Sequence, residues 1–204
     1  MSVEFIYDYR SPFSYLADSQ LKFLNAPVVR TLIDVVAVMK EVNNQPSTVC
    51  PPKARYGAID AGRWAKLYGV PFSPNRALLQ AMGSGALEGA ILVKAALAAR
   101  EIGIFDELHP LLYRAIWASG ADIQNEAGLK TFIAENGIDA DQLWSCATSK
   151  PIAERLAESG EAAAKKGVFG VPTFFVDGEM FFGNDRLDFV RAKLNGAPVE
   201  RATA

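Results

Sequence analysis

The hydrophobic period changes twice along this chain, and the order of those changes constrains the fold more than any other feature. Strand-like runs occur only near the two ends of the 204 residues, and residues 54–166 between them read almost entirely as helix. The apolar run Val3–Tyr7 makes a short first strand and Asp8-Tyr9-Arg10 a turn. Ser11-Pro12 then opens a helix with apolar positions at Phe13, Tyr15, Leu16, Leu21, Phe23 and Leu24. Residues 27–36 are β-branched enough for a second strand, so the opening is a βαβ unit, which favours a parallel pair and a right-handed crossover. Asn43-Asn44-Gln45-Pro46-Ser47 and Pro51-Pro52-Lys53 follow as an irregular loop rich in turn residues.

Within the helical block, residues 63–68 close at Gly69, a C-cap candidate. Further helices are expected over 86–100, over 105–117 ending near Gly120, over 125–135 and 140–147, and over 151–166 ending at Gly167. The period then returns to strands. Thr173–Val176 and Glu179–Phe182 flank Asp177-Gly178, a two-residue hairpin signal. Asn184-Asp185 reads as the cap of a last helix over 186–194, before a polar tail. The order is β-α-β, a block of helices, then α-β-β-α. That order predicts an α/β, thioredoxin-like core with a large all-helical domain inserted. Residues 1–53 and 154–204 would form the discontinuous core and residues 54–153 the insert.

Half the residues are hydrophobic, 22% are charged and the net charge is −2, so neither a nucleic-acid footprint nor a polybasic membrane surface is expected. The apolar stretches are too short to span a bilayer. Cys50 and Cys146 are far apart and outside any Cys-x-x-Cys pattern, which argues against a disulfide scaffold and fits a reducing compartment. Met1-Ser2-Val3-Glu4 lacks the basic and apolar regions of a secretory signal, so the expected location is cytoplasmic. A single histidine and no clustering of Cys and His leave no expected metal site.

Ser11-Pro12-Phe13-Ser14 sits where a thiol oxidoreductase would carry Cys-Pro-x-Cys. A helix N-terminus stabilises a thiolate there, but serines occupy both sulfur positions, so any sulfur must arrive with a bound molecule. The same four residues also make an ordinary helix cap. Val171-Pro172, just before the third strand, is either a tolerated strand-start proline or a cis bond that offers the Val171 backbone to a peptide-like ligand. Asn184 and Asp185 either cap the last helix or mark a ligand site, where Asp185 receives an α-ammonium and the backbone N–H groups at the helix start take a carboxylate. Asn44 and Lys53 are either solvated loop residues or a clasp for carboxylates. Tyr9, Arg10, Phe13, Tyr56 and Trp64 either shape an aromatic pocket or pack in the core. His109 reads as a surface or locally bonded residue, and Cys50, in the same loop as Lys53, either approaches the site or is a buried or incidental cysteine, the commoner case.

Five stretches, in this order, resemble the 2-hydroxychromene-2-carboxylate isomerases: residues 5–15 (FIYDYRSPFSY), Arg63-Trp64-Ala65 with Tyr68-Gly69-Val70-Pro71, Arg114-Ala115-Ile116-Trp117, residues 167–175 (GVFGVPTFF) and residues 183–187 (GNDRL). These are glutathione-dependent members of the kappa-class glutathione transferase group, in the DsbA-like branch of the thioredoxin fold. The resemblance implies that Ser11 is the catalytic serine, stabilising the glutathione thiolate. It implies that Asn44 and Lys53 contact the tripeptide, that Val171 before Pro172 pairs with its cysteinyl part, and that Asn184 and Asp185 hold its γ-glutamyl end. The implied chemistry is thiolate addition to a cyclic chromene hemiketal, ring opening, bond rotation and elimination to trans-o-hydroxybenzylidene pyruvate, with glutathione returned. The resemblance further implies a homodimer acting on a small aromatic substrate. A kappa-like transferase or peroxidase and a non-catalytic glutathione-binding protein are the alternatives. Segment 72–76 is shorter than its counterpart in naphthalene-pathway isomerases, and Cys50 departs from the family pattern.

Overall fold

The central strand of the sheet is the first in sequence, because Val3–Tyr7 (β1) is buried on both faces. Alternate side chains of a strand point to opposite sides. Phe5 and Tyr7 therefore enter the main core, while Ile6 joins a smaller cluster on the other face with Val35, Val38 and Ala163. The computed structural model describes residues 1–119 and 123–196. Among these, β1 pairs in parallel with Val28–Leu32 (β2) and antiparallel with Thr173–Val176 (β3), and Glu179–Phe182 (β4) forms the far edge, in the order β2-β1-β3-β4. Asp177 (φ 49°) and Gly178 (φ 79°) are both left-handed, as a tight hairpin turn requires. The expected thioredoxin-like arrangement is present, and the β-α-β and β-β-α halves meet at β1.

The helices follow as Pro12–Gln20 (α1), Val35–Glu41 (α2), Pro51–Tyr68 (α3), Arg76–Ser84 (α4) and Ile91–Glu101 (α5). After them come Phe105–Tyr113 (α6), Glu126–Glu135 (α7), Ala140–Ala147 (α8), Lys150–Lys165 (α9) and Leu187–Leu194 (α10). α5 carries buried Ala95, Ala96, Ala98 and Ala99, whose small side chains let it pack centrally against α6, α8 and α9. The largest hydrophobic cluster runs unbroken from Phe5, Tyr7 and Phe174 of the sheet into Ile91, Leu108, Leu112 and Trp144 of the helices. No described helix is long and apolar enough to cross a membrane.

Several boundaries differ from expectation. The second strand stops at Leu32, and Val35-Val36 belong to α2. The Asp34 carboxylate accepts the N–H groups of Val36 (3.0 Å) and Ala37 (3.3 Å), and this cap outweighs the β preference of the valines. The loop ends earlier than expected because Pro51 takes the first helical position of α3, which places Lys53 on a helical turn. The helix expected from residue 86 starts at Ile91, and α4 with its Asn75 cap precedes it. After α6 the chain forms a π-helical turn over Arg114–Ala118. The expected helix end at Gly120 and the polar tail over 197–204 lie outside the described residues. Asn184 and Asp185 do not cap α10. They form a 3-10 turn (Asn184–Arg186), entered from Gly183 at φ 110°, and neither side chain takes a capping hydrogen bond.

Candidate active site

Ser11 occupies the junction that β1 and α1 create. Its N–H donates to the Asp8 carbonyl (3.1 Å), its hydroxyl accepts the Ser14 N–H (3.2 Å), and Pro12 stands at the first helical position. The capping reading of the tetrad is thus a fact of the structure. The hydroxyl also reaches across to the Val171 carbonyl, donating over a long 3.4 Å. The Val171-Pro172 bond is cis. Ser11 therefore combines a partly exposed hydroxyl, the positive end of a helix and the backbone of a strand 160 residues away.

Val171-Pro172 in turn holds the second candidate pair. The Gly183 N–H donates to the Pro172 carbonyl (2.9 Å), which brings Asn184 and Asp185 beside the Val171 loop. The Asn184 carbonyl accepts the Tyr68 hydroxyl (3.3 Å), and its side-chain Nδ2 is buried with no hydrogen-bond partner among the described residues. Asp185 is exposed, pairs with Arg186 at 2.5 Å, and folds its carboxylate back over Gly183.

Between the start of α1 and the start of α3, Phe13, Ser47, Pro52, Lys53, Tyr56 and Gly57 line a cavity of about 440 Å³. Lys53 points from the first turn of α3 and has no ion-pair partner among the described residues. Tyr56 is 60% exposed, whereas Trp64 is half-buried against Tyr68, with ring centroids 5.3 Å apart. Asn44 is already engaged, its amide donating to the Phe169 carbonyl and its oxygen accepting the Gln45 N–H, both at 2.8 Å. It anchors the loop beside the cavity. Ser47 and Gly57 are lining residues that sequence reasoning did not single out, because small residues carry no pattern of their own. A larger groove of about 530 Å³, lined by Asp18, Lys22 and Arg30 among others, lies towards the other end of α1.

Two expectations are corrected. Arg10 does not face the aromatic cavity. Its Nη2 lies 2.5 Å from both Asp8 Oδ2 and Asp34 Oδ1. Burial opposes its charge, but the two carboxylates outweigh burial and hold the guanidinium firmly protonated. His109 is neither at the surface nor locally bonded. It is buried, with Nδ1 2.6 Å from the Tyr9 hydroxyl and Nε2 3.2 Å from Asp18 Oδ2. The second contact lacks hydrogen-bond alignment and is an ion pair only when the ring is protonated. Tyr9 is fully buried and belongs to the core rather than to a pocket.

Residues 2–195 match the DSBA-like thioredoxin domain family. The chain belongs to that family. Within it, the chain is 32% identical over 208 residues to a 2-hydroxychromene-2-carboxylate isomerase of Sphingobium xenophagum, covering 95% of this chain and 97% of the relative. A solved structure of a 2-hydroxychromene-2-carboxylate isomerase superimposes with a TM-score of 0.78 at 27% identity, covering 96% of this chain and 95% of that one. The glutathione S-transferase kappa 1 of Rattus norvegicus is 25% identical, over 92% of this chain and 88% of its own length. Thioredoxin-fold members usually place a redox sulfur at the start of the first helix; this DsbA-like chain places Ser11 there.

Proposed function

We propose that the protein is a glutathione-dependent isomerase that interconverts 2-hydroxychromene-2-carboxylate and trans-o-hydroxybenzylidene pyruvate. The observation that carries this reading is Ser11, a hydroxyl at the N-terminus of α1 facing the Val171 backbone, where a redox protein would need cysteine. The residues present fit glutathione. Asn184, whose buried Nδ2 has no partner among the described residues, directly precedes Asp185, and Lys53 offers a cation with no ion pair among the described residues. An anionic tripeptide with an ammonium and two carboxylates satisfies both.

When bound, glutathione supplies the thiolate nucleophile for conjugate addition and leaves unchanged. Ser11 donates its hydroxyl hydrogen to the sulfur position, and the α1 N-terminus adds positive potential there, so the ionised form is favoured. With serine at both 11 and 14, no disulfide can form within the motif. Val171 offers its backbone, Asp185 receives an ammonium, Asn184 donates from Nδ2 and Lys53 attracts a carboxylate. Asn44 holds the loop that frames these groups. Phe13, Tyr56 and Trp64 supply apolar and aromatic surface for the second substrate.

The similarity to kappa-class transferases supports a second reading, in which the same thiolate is transferred to an electrophile. One assay separates the two. Conversion of the chromene acid is followed by absorbance with and without glutathione, while free glutathione is counted at the end. Glutathione-dependent conversion with undiminished glutathione supports the isomerase. Loss of glutathione in step with an electrophile supports the transferase, and no heat or thermal shift at millimolar glutathione removes both.

A further inference from the structure

Asp8, Arg10 and Asp34 form an ion-pair cluster in the turn that presents Ser11. The Asp8 side chain is fully buried and accepts the Arg10 N–H (2.9 Å), the Val35 N–H (3.0 Å) and the Arg10 guanidinium, while its own carbonyl accepts the Ser11 N–H (3.1 Å). Asp34 caps α2 and takes the same Arg10 Nη2 at 2.5 Å. On its other side the guanidinium abuts the helical block, because a Cβ at Gly89 would come within 2.8 Å of Arg10 Nη1. One cation thus faces two carboxylates, leaving one net negative charge, next to the residue that faces the sulfur. Lys53 on α3 and the mutually paired Asp185 and Arg186 before α10 are further charges of the candidate site, and none of them pairs with this cluster among the described residues.

A buried ion pair adds little net stability over apolar residues of the same shape, so stability alone explains this cluster poorly. Electrostatics at the site explains it better. Two uncompensated carboxylates beside Ser11 would oppose a thiolate, whereas one balanced by Arg10 opposes it much less. We infer that Arg10 is a positioning residue for the thiolate site, holding the 8–11 turn between α2 and the Gly89 loop and offsetting one of the two negative charges that Asp8 and Asp34 would otherwise present at the sulfur. This inference rests on the glutathione reading above.

The test is the titration of bound glutathione by its thiolate ultraviolet absorbance, with binding measured separately by calorimetry. In the unaltered protein the bound thiol titrates below free glutathione. Arg10→Met raises that midpoint by about one pH unit, and Arg10→Lys restores part of it. Asp34→Asn keeps the α2 cap, since asparagine caps as well as aspartate, and removes one negative charge; it lowers the midpoint. The opposite signs distinguish a field effect from structural damage, which would move both variants the same way. If Arg10→Met does not fold, the Asp34→Asn sign decides alone. An unmoved midpoint in Arg10→Met, or a rise in Asp34→Asn, overturns the inference while leaving the glutathione reading intact. Absence of binding by the unaltered protein overturns both.

Discussion

His109 Nδ1 lies 2.6 Å from the Tyr9 hydroxyl, a contact that ties α6 to the turn before Ser11 across a sequence separation of 100. On the other side of the ring, Nε2 lies 3.2 Å from Asp18 on α1, and Asp18 also holds Arg30 of β2 at 3.0 Å. The indole N–H of Trp117 donates to the Tyr9 carbonyl at 2.7 Å. The turn carrying the candidate nucleophile-stabilising group is thus gripped from the helical block as well as from the sheet. Tyr7 and Tyr113 close around the same ring, and burial drives the phenol pKa of all three tyrosines upward, so they stay neutral donors and acceptors.

Removing the Tyr9 hydroxyl leaves a buried ring nitrogen without its partner. Tyr9→Phe is expected to destabilise the fold by about 1–3 kcal/mol. Urea denaturation checks this, with an unchanged slope marking a folded-state effect. A loss near zero would mean that the 2.6 Å contact contributes nothing net.

Asp18 gives the fold an acid sensitivity. Burial works against its ionisation, but the close contacts with His109 Nε2 and with Arg30 hold its carboxyl below the ordinary value of 3.8. Because the folded value lies below the unfolded one, its stabilisation is complete above about pH 4 and drains as pH falls through the folded value. Asp18→Asn is therefore expected to be less stable at pH 7 and to show a flatter loss below pH 4. Thermal melts across that range read the difference, and parallel acid profiles for the two proteins would contradict it.

Ser11→Ala separates capping from chemistry. Loss of the bond from the Ser14 N–H costs about 1 kcal/mol of stability. Loss of the donor to the sulfur is expected to lower turnover by about a hundredfold, while the glutathione dissociation constant rises by less than about fivefold. Full activity in the variant would leave Ser11 as a cap alone.

Gly183 stands at φ 110°, and a Cβ there would collide with the Asp185 carboxylate. Gly183→Ala must strain the backbone and push Asp185 aside, at a stability cost of about 1–3 kcal/mol. Glutathione affinity is expected to fall at least tenfold, as measured by calorimetry, because the ammonium acceptor moves. Unchanged affinity would exclude Asp185 from the ligand contacts.

Much of the fold was legible in sequence because its signals are local. β1, the Asp177-Gly178 turn, the Gly69 cap at φ 65° and the start of α1 each depend on residues within a few positions of one another. Asp34 shows where local pattern misleads. The valines after it favour a strand, but one carboxylate accepting two N–H groups turns them into α2. Lys53 shows the same for a proline, since Pro51 opens a helix as readily as it marks a loop.

The candidate site divides along the same line. Ser11, Val171, Asn184 and Asp185 stood out as residue types at element junctions, and the fold draws them together through the Ser11 to Val171 and Gly183 to Pro172 contacts. Sequence by itself determined the element order, the cap chemistry at Ser11 and the absence of cysteine from the thiol position. Only the tertiary structure decided that Arg10 pairs with both Asp8 and Asp34, and that His109 is buried against Tyr9 and Asp18. The physical reason is that burying a polar side chain without a partner is costly, and the partners that His109 finds lie up to 100 positions away, beyond the reach of any local pattern.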